Sequence, residues 1–151
     1  MEPMALLDNR KALFSYEVLE TLEAGIELFG HEVKAVRKGM GSLAGSYITI
    51  TNGEAFLVGA TISPYQQGNV PKDYIQSRSR KLILGKHEIE RLLGAISKTG
   101  LTLVPISVYN RGRYIKVEVA LARGKKKADK RQTIKKREGK REIERTLKNS
   151  R

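Results

Sequence analysis

The chain has 151 residues, no cysteine, two histidines and a formal net charge of +13. At this length one domain is expected. The charge points to a polyanionic partner, nucleic acid before membrane, and the lack of cysteine excludes disulfides, thiolate metal sites and cysteine nucleophiles.

No apolar run approaches the roughly 20 residues of a membrane span. Residues 1–8 hold two acids and no basic residue, unlike a secretory signal. A cytoplasmic protein without a metal or cofactor is therefore expected. The charge is unevenly placed. Residues 1–122 carry 15 basic and 12 acidic side chains, a net of +3; residues 123–151 carry 14 and 4, a net of +10. This divides the chain into a nearly neutral body, 1–122, and a basic tail, 123–151.

In chain order, residues 16–22 and 25–29 read as two strands joined at Glu23-Ala24. Residues 31–38 form a short helix candidate, with Val33 and Val36 at i, i+3 and Gly39 as the stop. Residues 46–58 predict a hairpin, because Asn52-Gly53 supplies the two positive-φ positions of a type I′ turn. Residues 86–98 predict a helix with an apolar stripe of Ile89, Leu92, Leu93 and Ile96, closed by Gly100. Residues 101–121 predict a second hairpin turning at Asn110-Arg111-Gly112. Its outgoing strand alternates Ile115, Val117, Val119 and Leu121 against Tyr114, Lys116 and Glu118. Pro105 interrupts the incoming strand and marks an edge or a bulge. The fold class is mainly β (α+β): a small antiparallel barrel of the oligonucleotide-binding type, with short flanking helices and a basic C-terminal tail.

The tail has only Ile134, Ile143 and Leu147 as large apolar residues, too few to fold alone. Arg137, Arg141 and Arg145 recur every fourth residue, so a helix would carry them as one basic stripe. Such a helix over residues 129–151 would be roughly 35 Å long. The tail is expected to be disordered when free and helical on RNA. Its apolar face is too thin for a membrane surface.

Catalytic constellations are missing. No Gly-rich phosphate loop is present. Glu88 and Glu90 lie two apart on a helix and face different ways, and His31 and His87 have no shared spacing. An enzyme is not expected.

Several blocks then stand in a recognisable order. They are Asn9-Arg10-Lys11-Ala12; Tyr16 through Glu23-Ala24-Gly25-Ile26; Gly30-His31-Glu32-Val33 through Gly39; Ile62-Ser63-Pro64-Tyr65; Arg80-Lys81-Leu82-Ile83-Leu84; and Gly100 through Pro105, leading into Ala122-Arg123-Gly124-Lys125-Lys126-Lys127-Ala128-Asp129-Lys130-Arg131. Over residues 9–147 the sequence resembles the small protein B (SmpB) family, the bacterial tmRNA-binding proteins of trans-translation. The resemblance implies an oligonucleotide-binding barrel that binds the tRNA-like domain of tmRNA, as a monomer and 1:1. It implies delivery, with elongation factor Tu and GTP on the aminoacylated tmRNA, to ribosomes stalled on mRNA lacking a stop codon. The tail would enter the empty mRNA channel beside the decoding centre and fold there as a helix.

Positions matching the family's tmRNA contacts are Asn9, Glu23, Ile83 and Lys116, with Arg123 at the start of the tail. Asn9 can donate and accept, and an ionised Glu23 can only accept. Ile83 offers apolar contact to an unstacked base or else packs in the core. Lys116 meets a phosphate or is merely solvated. The resemblance assigns Tyr47, Gly124, Lys125, Lys126, Lys127, Asp129, Lys130 and Arg131 to the ribosome, with Lys135, Arg137, Arg141 and Arg145 further along the tail. Gly124 suits a hinge. Tyr65 and Tyr114 are further stacking candidates. Three positions depart from the family pattern. Ala128 stands where a His or Tyr is usual, Leu13-Phe14 where a basic residue and His are common, and Gly85 where Asn or His caps the second helix.

Overall fold

A computed structural model of the chain describes residues 5–125, except 67 and 69. In order these form β1 (Ala5–Asp8), α1 (Arg10–Ser15), β2 (Tyr16–Ile26), α2 (Gly30–Arg37), β3 (Gly41–Ser42) and β4 (Tyr47–Thr51). There follow β5 (Glu54–Val58), β6 (Thr61–Ile62), β7 (Arg80–Ile83), α3 (Lys86–Thr99), β8 (Thr102–Arg111) and β9 (Tyr114–Gly124). The strands pair antiparallel in the order β8-β4-β5-β7-β2-β9, and β9 returns to β8, closing a six-strand barrel. β1 adds to β8 beyond β4, and β3 pairs with β6 separately. This is the mainly antiparallel barrel with short helices that the sequence predicts.

The Asn52-Gly53 turn forms as expected, with φ of 53° and 75°, and sets the register from Tyr47↔Val58 to Thr51↔Glu54. Alternation then turns Ile48, Ala55 and Leu57 into the core. On β9, Ile115, Val117, Val119 and Leu121 face inward. Ala120 and Ala122, on the opposite side, are buried beneath Ala12 of α1 together with Val104. Helix α2 ends at Gly39 (φ 72°) and α3 at Gly100 (φ 67°), both as the sequence predicts. The α3 stripe is narrower than expected: Ile89 and Leu92 are buried, but Leu93 is 47% exposed.

Several expectations are corrected. Residues 16–26 are one unbroken strand rather than a hairpin turning at Glu23-Ala24. Both residues lie in the β2–β9 ladder, Glu23 opposite Glu118 and Ala24 opposite Val117, with Ala24 in the core. The second hairpin turns at Gly112-Arg113, because Asn110 and Arg111 still pair in β8. Of the two alternatives expected at Pro105, the bulge is the one that forms. The register shifts between Pro105 and Ser107, and β8 is paired along both sides. Arg123 and Gly124, assigned by composition to the tail, are the last residues of β9, opposite Glu17 and Tyr16. The Lys125 amide donates to the Ser15 carbonyl at 2.9 Å. The sheet thus runs past residue 122.

A buried charge cluster fixes β7 and the start of α2. Glu32 and Arg80 are both 0% exposed. Glu32 Oε1 accepts from the Phe29 amide (2.9 Å) and Arg78 Nη2. Its Oε2 accepts from the Tyr74 hydroxyl (2.8 Å), Arg78 Nε (3.1 Å) and Arg80 Nε and Nη2 (3.0 and 2.7 Å). Arg80 also donates to the carbonyls of Ala60 and Gln76. Burial alone would push the Glu32 carboxyl up, but Arg78, the Phe29 amide, Arg80 and Tyr74 outweigh it and hold it at about 2.

Candidate nucleic-acid interface

The outer face of β7, β2, β9 and β8 collects polar residues because their alternate neighbours fill the barrel. Two rows of cross-strand partners define it. One row runs from Ile83 through Gly25 and Lys116 to Tyr109, the other from Glu23 through Glu118 to Ser107. Three of the predicted tmRNA contacts, Glu23, Ile83 and Lys116, therefore share one surface. Ile83 is 57% exposed, which excludes the core-packing alternative. It can lie over β2 because its partner is Gly25; a Cβ there would sit 3.2 Å from Ile83 Cβ. Ile83, Gly25, Leu28, Tyr114 and Lys116 line a depression of about 230 Å³. Tyr114, 64% exposed, has the Lys116 ammonium 5.9 Å from its ring centre. An apolar side chain, an open ring and a cation suit an unstacked base and its phosphate.

Beside this depression, the Glu23 carboxylate accepts through Oε2 from the Tyr109 hydroxyl and from Arg111 Nε at 2.7 Å. The Tyr109 hydrogen bond is the main reason its carboxyl lies below the usual range. Partial burial opposes it, while Arg111 and Lys116 reinforce it. Tyr109 is pushed up to about 12, first by burial and then by its bond to Glu23. A second depression of about 360 Å³ opens here between Glu23, Tyr109, Arg111 and Glu118.

The remaining predicted residues lie elsewhere. Asn9 is buried, and its Nδ2 donates to the Pro105 carbonyl at 2.8 Å while its amide donates to Ile106. Asn9 thus pins α1 to the β8 bulge, a role that its spacing does not disclose. It lines a depression of about 370 Å³ together with Tyr47, Tyr16, Lys11 and Ser46. Tyr47 is 45% exposed. Arg123 Nη2 donates to Glu17 Oε2 at 2.7 Å on the surface. Gly124 lies in β9, and Lys125 Nζ donates to the Leu13 carbonyl at 3.2 Å. Lys126, Lys127, Asp129, Lys130, Arg131, Lys135, Arg137, Arg141 and Arg145 lie outside the described residues, as does the expected tail helix.

Sequence reasoning missed Tyr109 and Arg111, although Ser107, Tyr109 and Arg111 recur at the strand period. It also missed the Glu32–Arg80 pair, whose partners lie 48 residues apart. Gly85 does begin α3, and Glu88 Oε1 accepts its amide at 3.2 Å in place of a capping side chain.

Among the described residues no helix is long and apolar enough to cross a membrane. A closed antiparallel barrel with an exposed carboxylate, a lysine, an open aliphatic and a tyrosine on one face is a barrel of the oligonucleotide-binding class. Comparison with known proteins narrows this. A family model described as SmpB protein matches residues 6–149. The SsrA-binding protein of Roseiflexus sp. (strain RS-1) is 49% identical over 141 residues, covering 93% of this chain and 89% of the relative. That of Enterococcus faecalis is 46% identical over 150 residues, covering 99% and 97%. A chain in a solved structure described as "tmRNA-SmpB: a journey to the center of the bacterial ribosome" is 47% identical, with a TM-score of 0.66 over 80% of this chain and 84% of that one. The chain belongs to the SmpB family.

Proposed function

We propose that this protein is a tmRNA-binding adapter of trans-translation that acts by binding and not by catalysis. The observation that carries the reading is the single outer face on which β2, β7 and β9 bring Glu23, Ile83 and Lys116 together, in a chain akin to SsrA-binding proteins over nearly its whole length. The body takes the tRNA-like domain of tmRNA, 1:1 and as a monomer in the cytoplasm. Glu23 accepts from RNA donors, Ile83 packs against an unstacked base and Lys116 meets a phosphate, while Asn9 and Arg123 make further contacts away from that face. The complex reaches stalled ribosomes with elongation factor Tu and GTP on the aminoacylated tmRNA. Tyr47, Gly124, Lys125, Lys126, Lys127, Asp129, Lys130 and Arg131 meet the ribosome at the decoding centre and the mRNA channel. Further along the tail, Lys135, Arg137, Arg141 and Arg145 neutralise ribosomal RNA phosphates along the empty mRNA channel.

Sequencing the RNA that co-purifies at moderate salt tests the reading. One dominant tmRNA species is the expected result; a broad mixture of RNAs overturns it. Because β9 runs through Gly124 and Lys125 is tied to α1, a chain truncated after Lys125 separates the two jobs. It should keep the affinity for the tRNA-like domain and lose tagging on stalled ribosomes. Lost affinity would move recognition to the tail, and normal tagging would remove the tail from the channel.

A further inference from the structure

Glu23 and Glu118 stand directly opposite each other on β2 and β9, two carboxylates that repel when both are ionised. The groups facing Glu23 are Tyr109 and Arg111 from β8 and Lys116 and Glu118 from β9. Tyr109 and Arg111 both donate to Oε2. Oε1 has no donor among the described residues. An ionised carboxylate accepts and cannot donate, so one oriented oxygen is left to meet a ligand. It repels a phosphate. It attracts an N–H donor, and the neighbouring Ile83, exposed across Gly25, offers a surface against which a base plane can lie.

We propose that Tyr109 and Arg111 are specificity-determining positioning residues, holding Glu23 by its Oε2 and aiming its Oε1 at an N–H donor on the edge of an unpaired base of the bound RNA. The inference rests on the RNA-binding reading of this face. Tyr109 is only 9% exposed and sits behind the carboxylate; it acts through Glu23 without touching the RNA. With the hydroxyl in place, Glu23 stays ionised to lower pH than an ordinary glutamate. Without it, the carboxyl returns toward the ordinary range, and lowering the pH protonates it, turning an acceptor into a donor.

The test measures binding of the full chain and its E23Q, Y109F, R111K and R111A variants to a transcript of the tmRNA tRNA-like domain, at pH 7 and at about pH 4. Y109F should bind about fivefold more weakly at neutral pH and lose up to about a further fourfold toward pH 4, more than the unsubstituted protein loses over the same range. R111A should follow Y109F, while R111K, which keeps a donor, should stay within about twofold of the parent. Transcripts with base analogues lacking one exocyclic amino group should reveal a position whose loss weakens the parent but not E23Q, whereas single 2′-deoxy substitutions should not.

Unchanged binding by E23Q would overturn the functional reading of the face itself. Weakened binding by E23Q, with Y109F and R111A parent-like at both pH values, would overturn only the positioning role. Sensitivity to a 2′-deoxy position alone would overturn the base edge. Melting curves check that each variant is folded; should Y109F melt, the exposed Arg111 pair decides the question.

Discussion

Two carboxylates in this protein are served by the same kinds of partner and come to opposite ends. Glu32 and Glu23 each accept from a tyrosine hydroxyl and from arginine. Glu32 is fully buried and both of its oxygens are occupied. Glu23 is at the surface, and among the described residues only its Oε2 is occupied. The difference lies in the unspent lone pairs. A fully satisfied carboxylate in a closed cluster ties elements together, whereas a half-satisfied one at the surface is ready for a ligand.

The largest expected consequence is in stability. Glu32→Gln leaves Arg80 buried without a counter-charge and should cost about 3–5 kcal/mol in urea unfolding. Glu23→Gln, which removes an exposed pair, should cost less than about 1 kcal/mol. Similar losses for the two would break the distinction. Acid sharpens it next. A carboxyl lowered from its ordinary 4.5 to about 2 contributes stability that is present above the higher value and lost as pH falls toward the lower. Denaturant titrations from pH 5 to pH 2 should show about 3 kcal/mol lost through Glu32, and Glu32→Gln should remove that slope.

Smaller effects belong to the proposed RNA face. Ile83→Ala should weaken binding to the tRNA-like domain about fivefold, or about 1 kcal/mol. Its melting temperature should barely move, because the side chain is already exposed; a large drop would return Ile83 to the core. Lys116→Ala should reduce the salt slope of binding by about one unit if it neutralises one phosphate. An unchanged slope would leave the lysine in solvent.

Local chemistry was readable from sequence. Asn52-Gly53 dictated its turn, Gly39 and Gly100 their helix ends, and the alternation in residues 114–121 its inward face. Long-range pairing was not. Glu23-Ala24-Gly25 has the composition of a turn, and only the ladder with β9 keeps it extended. The short β1, β3, β6 and α1 offer too few residues for a period to show. Of the site, Glu23, Ile83 and Lys116 were found through family resemblance, and the structure added that they share a face. Tyr109 and Arg111 escaped because their importance depends on reaching Glu23 across β9, which no one-dimensional spacing encodes. Asn9 was also found through family resemblance, yet its side-chain amide is turned inward onto the Pro105 carbonyl at the bulge.

The pairing of β2 with β9 joins Tyr16 to Gly124 and Gly25 to Lys116, positions separated by about a hundred residues. Closing so long a loop is slow and comes late in folding. During synthesis, Glu23 emerges early but has no partner until β8 and β9 follow. A nascent or truncated chain that lacks β9 therefore lacks both Lys116 and the ladder that holds Glu23 extended on the proposed RNA face.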